Sequence, residues 1–321
     1  MFRKAQRKQA KLRLALAGPS GSGKTYSALL IAKGIGGPIA MIDTERRSGE
    51  LYSNLYDYDV APIDGPFSPD QYIERINTAE KAGYNVLIID SLSHAWMGVG
   101  GVLDIKDRAA RSGKAGMNDF TAWREATPKH NELVDAILGS SCHIIVTLRT
   151  KTAYEVIEES GKKTKVTKLG LAFVQREGLE YEFTVVLDLA VDSHIATSTK
   201  DRTRLFDGQY ITPSEETGRQ LLDWLNSGAV IDPKEELIRQ INSLIGNLNL
   251  VELTSAYWNY VGNRYQAATT DQIGQPELQE QIVLLTQCRQ NPAKLDQFQK
   301  LLADIASQKP AGSDGQQGAM H

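Results

Sequence analysis

Short, almost unbroken apolar runs alternate with amphipathic stretches along the first two thirds of this chain. Leu12-Arg13-Leu14-Ala15-Leu16-Ala17 ends at Gly18 and reads as a buried strand, and Tyr26 to Lys33 as the helix after it. Ile39-Ala40-Met41-Ile42, Val86-Leu87-Ile88-Ile89 and His143 to Leu148 repeat the strand signal. Such runs lack the alternation of a half-exposed strand and fit a sheet covered on both faces. Between them, Ser68 to Ala82 carries an apolar stripe of Tyr72, Ile73, Ile76 and Ala79, with Pro69 at its start. Thr127 to Leu138 reads as a helix with Pro128 in its first turn. Alternation in Tyr154-Glu155-Val156-Ile157-Glu158 and Lys165-Val166-Thr167, with Gly161 between, predicts a β-hairpin. Tyr181 to Ala190 and Ser193 to Thr199 read as an antiparallel strand pair, and Ser214 to Leu225 as a closing helix. Strand and helix in alternation predict an α/β fold with a mainly parallel sheet flanked by helices.

The pattern changes at Pro233. Leu237, Ile238, Ile241, Leu244 and Ile245 form a helical stripe, Ile282, Leu284 and Leu285 part of another, and Leu295, Phe298, Leu301, Leu302 and Ile305 a third. The expected organisation is a basic arm over 1–11, an α/β domain over 12–230, a small all-helical C-terminal domain over 232–308, and a polar, disordered tail over 309–321.

Composition narrows the class without naming a chemistry. With 41% hydrophobic and 23% charged residues, the 321-residue chain is of ordinary globular type. Its net charge of -3 excludes a general polycation, so a nucleic-acid surface must be a local patch. Cys142 and Cys288 form no disulfide framework, and with no apolar run long enough to span a membrane the expected setting is cytoplasmic. Local basic stretches do occur: Arg3, Lys4, Arg7, Lys8, Lys11 and Arg13 in the arm; Lys106, Arg108, Arg111 and Lys114 in a glycine-rich connection over 97–119; and Lys162, Lys163, Lys165, Lys168 and Arg176 after the fourth strand. The glycine-rich connection reads as exposed and mobile.

The chemistry is carried by Gly18-Pro19-Ser20-Gly21-Ser22-Gly23-Lys24-Thr25, which matches G-x-x-x-x-G-K-[ST] between a strand and a helix. Its backbone N–H groups and the helix N-terminus favour phosphate; Lys24 is suited to the β- and γ-phosphates and Thr25 to Mg²⁺. Asp90 ends the Val86–Ile89 run as a Walker B carboxylate and is the second expected Mg²⁺ ligand. Ser91, not an acid, follows it, so a water-activating carboxylate must come from elsewhere; Glu45, just after the Ile39–Ile42 strand, is placed for that role. Arg149, at the end of the fourth strand, is expected either to touch the γ-phosphate or to bind a nearby carbonyl or acid. No D-x-x-G or N-K-x-D motif is present, which favours ATP over GTP.

Ile42-Asp43-Thr44-Glu45 followed by Ile89-Asp90-Ser91 resembles the core of RecA-like ATPases, in which such a glutamate is the catalytic base. Lys200-Asp201-Arg202 is similar to a segment that, in recombinases and hexameric helicases, reaches a neighbouring subunit's γ-phosphate. The run Asp90 to Trp96, the segment His143 to Lys151 and Glu180-Tyr181-Glu182-Phe183 resemble phage and prophage AAA-type ATP-binding proteins. The resemblance covers residues 12–228. It implies a RecA-like P-loop NTPase core, catalytic Glu45, Lys24, Lys200 and Arg202, a head-to-tail homo-oligomer, and action near single-stranded DNA with a replication or recombination protein. An ATP-dependent docking switch with little hydrolysis is the alternative; a small-molecule kinase is disfavoured because no arginine-rich lid follows Asp90.

Overall fold

The computed structural model describes residues 4–307 apart from 114–115, 117, 160–162 and 230–231, and leaves the side chains of 152–171 undescribed. The 309–321 tail, Arg3, Lys114 and most of the lysines after the fourth strand therefore lie outside the described residues. The chain divides into two compact units between Ala229 and Val230.

In the first unit the strands are β1 (Arg13–Gly18), β2 (Ile39–Asp43), β3 (Asp59–Pro62), β4 (Val86–Asp90), β5 (His143–Glu159), β6 (Lys163–Phe173), β7 (Val185–Leu189), β8 (Ala196–Asp201) and β9 (Tyr210–Ile211). The helices are α1 (Lys24–Ile35), α2 (Pro69–Ala82), α3 (Ser93–Met97), α4 (Val102–Ala110), α5 (Trp123–Gly139) and α6 (Glu215–Asn226). The sheet order is β3-β2-β4-β5-β1-β7-β8-β9. It is parallel from β3 to β7, and β8 and β9 add antiparallel strands at one edge. The far half of β5 leaves this sheet to pair with β6 as the expected hairpin.

Side-chain alternation divides each central strand between two cores. On β1, Leu14 and Leu16 enter the core beneath α1 and α6, with Leu29, Ile31, Leu221 and Leu225. Ala15 and Ala17 enter the opposite core beneath α2 and α5, with Tyr72, Ile76, Leu133 and Ile137. Both sheet faces are thus covered, which is why the strands read as continuous apolar runs. Helices α1 and α6 approach so closely that a Cβ on Gly34 would lie 1.9 Å from the Glu215 carbonyl oxygen, and one on Gly218 2.2 Å from that of Ile31.

Several local expectations are corrected. Helix α5 begins at Trp123, a turn before Thr127, so Pro128 lies inside it; burial of Ala126 and stacking of Trp123 on Trp96 extend the helix past the lost N–H. The 97–119 connection contains helix α4, whose Lys106 pairs with Asp107 and Asp119 and whose Arg108 pairs with Asp104, so much of its positive charge is internally neutralised. Tyr181 lies in a short 3-10 turn, not a strand, and its carbonyl accepts from Lys200 and Arg202. Strand β3 and the helix over Thr254–Tyr265 went unread because neither carries a long apolar period. Residues 7–9 of the basic arm are docked: the Gln9 N–H donates to the Ala229 carbonyl, the Ala229 N–H donates to the Arg7 carbonyl, and the Arg7 guanidinium lies 4.7 Å from the Trp224 ring centroid. Arg13 is buried and donates to the carbonyls of Leu138 and Ser140 at the end of α5.

The second unit consists, among its described residues, of α7 (Pro233–Asn247), α8 (Thr254–Tyr265), α9 (Gln275–Gln290) and α10 (Pro292–Ser307) around Ile241, Tyr257, Val261, Leu278, Leu285 and Leu302. Among the described residues no helix is long and apolar enough to cross a membrane.

A buried histidine gives the α/β unit an acid-sensitive seam. His143 opens β5, and its Nδ1 accepts the Leu12 N–H at 3.1 Å, which requires the neutral ring. Burial, helped by Lys11 and Arg13, lowers its pKa from 6.5 to about 4. Between those values the unfolded chain holds the extra proton, so stability falls as pH drops through that window. Roughly 3 kcal/mol should be lost by pH ~4 through this one group. Urea midpoints measured against pH should show that loss in the wild type and a flatter profile in His143→Gln, whose side-chain carbonyl keeps an acceptor; parallel profiles would reject the assignment.

Candidate functional site

The strand order brings the carboxyl ends of β1, β2, β4 and β5 to one edge. Gly18 faces Arg149 across the β1–β5 pair, and Asp43 faces Asp90 across β2–β4. The phosphate loop leaves that edge and enters α1. Gly21 and Gly23 have φ of 80° and 83°, left-handed values that favour glycine. A Cβ on Gly23 would also come within 3.3 Å of His194 Nδ1. The loop therefore needs glycine at 23 for backbone shape and for clearance.

Lys24 folds over the loop, its Nζ donating to the Gly18 and Pro19 carbonyls at 2.9 and 2.7 Å. Burial lowers its pKa, opposed by the charges of Asp90 and Glu45. Ser22 Oγ is buried and has no hydrogen-bond partner among the described residues. Thr25 Oγ1 donates to Asp90 Oδ2 at 2.6 Å, and Thr147 Oγ1 donates to Asp90 Oδ1. Burial raises the Asp90 pKa against those two hydrogen bonds. A hydroxyl and a carboxylate in contact, beside an ammonium and an unpartnered buried hydroxyl, form a hard-oxygen donor set that fits Mg²⁺ and the phosphates it would bridge. Thr25 and Asp90 would hold the ion, and Ser20, Ser22 and Lys24 would line the phosphate side.

Glu45 follows β2, which pairs directly with β4, and so reaches the same edge as Asp90. The turn carrying it is rigid. Asp43 is fully buried and accepts the N–H groups of Glu45 and Gly49 at 2.7 and 2.8 Å. The Thr44 N–H donates to the Asp90 carbonyl, and the Thr44 Oγ1 accepts the Ser91 N–H and lies 2.7 Å from His94 Nδ1. Arg149 binds Glu45 in a bidentate manner, through Nε at 2.9 Å and through Nη2. Burial pushes the Glu45 carboxyl up, but hydrogen bonding and charge from Arg149 outweigh it and leave the pKa below the usual glutamate value. Of the two expectations for Arg149, this structure takes the acidic partner.

Lys200 and Arg202 stand apart from this cluster. Lys200 pairs across β8–β7 with Val186, and the neighbouring Val185 faces Leu14, at the start of β1. Their cations donate to the Glu180 and Tyr181 carbonyls before β7, at the edge opposite the phosphate loop. They do not join their own chain's site. Asp43, Thr44 and His94, which fix the Glu45 turn, were not singled out for that role: nothing local distinguishes them from ordinary polar residues beside a strand end.

A family described as an AAA domain matches residues 10–217. No curated protein matches the chain. The match spans the whole P-loop unit from β1 into α6, and the mostly parallel sheet with its loop, Asp90 and Thr25 is a P-loop NTPase core. The chain belongs to the AAA domain family of P-loop ATPases.

Proposed function

We propose that this chain hydrolyses ATP as a head-to-tail oligomer and acts on single-stranded DNA in recombination or replication. The observation that carries the hydrolytic reading is the position of Glu45: a carboxylate on the strand beside Asp90, held on a rigid turn at the mouth of the phosphate loop. Water attacks the γ-phosphorus as the bond to the β,γ-bridging oxygen breaks and ADP leaves, while Glu45 accepts the water's hydrogen bond and then its proton. Lys24 neutralises charge on the β- and γ-phosphates, and Mg²⁺ held by Thr25 and Asp90 supplies further charge neutralisation when bound.

Arg149 gives this site a resting state. Its guanidinium binds both Glu45 oxygens and competes there with water, so opening of that pair would free the base. The γ-phosphate is a competing anion within the same cluster and draws the guanidinium toward itself. The same ion pair supports a second reading, in which ATP binding reshapes the edge for a partner and turnover is slow.

Lys200 and Arg202 cannot serve their own loop from the opposite sheet edge, which supports their use on a neighbour's γ-phosphate. The stretches that follow Asp90 and Arg149 leave the nucleotide edge and are the surfaces proposed to meet DNA.

Glu45→Gln should retain ATP binding and lower turnover by roughly 10²–10⁴-fold; phosphate release and nucleotide binding measured together check this, and unchanged turnover removes Glu45 as the base. Arg202→Ala should lower turnover by roughly 10³-fold, and wild-type rate per subunit should rise with protein concentration. A rate independent of concentration and insensitive to Arg202→Ala would leave a self-sufficient site and no catalytic interface.

A further inference from the structure

Beside the nucleotide edge, Trp96, Phe120, Trp123, Arg124, Pro128 and Arg176 line an open groove of about 790 Å³. Trp96 and Trp123 stack, with ring centroids 5.9 Å apart and planes inclined by 22°. Phe120 is 85% exposed, a large apolar ring that no element covers among the described residues. Trp96 and Trp123 are half-buried beside it.

The charges around the groove decide what covers it. Neighbouring cations are paired: Lys106 with Asp107 and Asp119, Arg108 with Asp104, and Lys129 with Asp70 and Glu132. Arg124 and Arg176, the two cations inside the groove, have no carboxylate partner among the described residues. An apolar protein segment would satisfy the rings and leave both guanidinium groups without counter-charge. A single-stranded polynucleotide satisfies both, because every base offers a stacking face and every link a phosphate. A duplex does not, since its bases are already stacked and paired.

We propose that this groove stacks unpaired bases of a single-stranded nucleic acid, with Arg124 and Arg176 on the adjoining phosphates. The proposal rests on the single-stranded DNA reading above and assigns it a location. It locates the principal contact on the stretch after β4, which carries Trp96, Phe120 and Trp123, since stacking requires aromatic rings. Both walls are tied to the nucleotide edge. Trp96 lies on α3, directly after Asp90 and Ser91. Arg176 follows β6, where the Val174 N–H donates to the Arg149 carbonyl and Gln175 Nε2 donates to the Leu92 carbonyl.

The test uses the full-length protein with a short oligothymidylate, with and without a non-hydrolysable ATP analogue, read by quenching of tryptophan fluorescence and by anisotropy of a labelled oligonucleotide. Phe120→Ala and Arg124→Ala change exposed side chains outside the nucleotide site. Each should keep ATP affinity and DNA-independent turnover and weaken oligonucleotide binding by roughly ten-fold or more. Arg124→Ala should also lower the slope of log affinity against log salt by about 0.7. Trp123→Phe, which keeps an aromatic face, should bind better than Trp123→Ala. Wild-type binding that Phe120→Ala and Arg124→Ala leave unchanged overturns the groove assignment alone. A wild-type protein that binds no oligonucleotide in either nucleotide state overturns the DNA reading and the groove with it. Lost self-association in Phe120→Ala with oligonucleotide binding intact would make the groove a contact between copies and overturn the proposal.

Discussion

Two buried carboxylates on facing positions of neighbouring parallel strands set the terms for this site. Asp43 and Asp90 pair in register, and both are almost wholly shielded from water. Two such charges repel in a low-dielectric setting, and the effect on Asp90 is to raise its pKa further. The fold keeps them apart chemically by giving each its own donors. Asp43 is satisfied by backbone N–H groups of the turn that follows it, Asp90 by the hydroxyls of Thr25 and Thr147. Asp43 therefore builds the turn that presents Glu45, and Asp90 remains directed at the phosphate loop. Losing either donor set leaves a buried charge short of partners, which is far more destabilising than losing an exposed pair.

Glu45 inherits its position from that division. Its backbone N–H is bonded to Asp43, the next residue back is fastened to Asp90 and Ser91, and its carboxylate is the part left free to change partners. Arg149 is the partner in this structure. That residue ends the in-sheet part of β5 and also anchors the strand returning from the hairpin. Arg149 thus holds Glu45 through its guanidinium and the segment leading to the aromatic groove through its backbone carbonyl. Coupling between nucleotide and a distant surface needs a discrete element with two arrangements. In the proposed mechanism the Arg149–Glu45 pair would be such an element, with the γ-phosphate competing for the same cation.

The basic stretches of the chain do different work from one another. Arg7 and Arg13 hold the arm and the end of α5 within the α/β unit. Lys106 and Arg108 are absorbed by acids of their own connection. Arg124, outside every charge run, and Arg176, the last cation of the run after the fourth strand, are the cations left beside the aromatic groove. Charge density along a sequence counts cations but not the acids that fold back on them.

Local order determined what could be read from the chain alone. The phosphate loop, its flanking strand and helix, the carboxylate ending β4 and the switch to helices after Pro233 are contiguous patterns. Their meaning depends on backbone geometry within a few residues or on which face is buried. The parallel sheet followed from apolar runs that only a doubly covered strand requires. Partner choice was decided by tertiary structure. Arg149 and Glu45 lie 104 residues apart and meet only because β5, β4 and β2 are consecutive in the sheet. Lys200 and Arg202 are excluded from their own site by the antiparallel direction of β8. Trp96 and Trp123 form one surface only after α5 starts a turn earlier than its proline predicts. Periodicity encodes which face of an element is buried; it carries no record of which other element will cover it, and that choice supplied Glu45 with its partner and the aromatic groove with its shape.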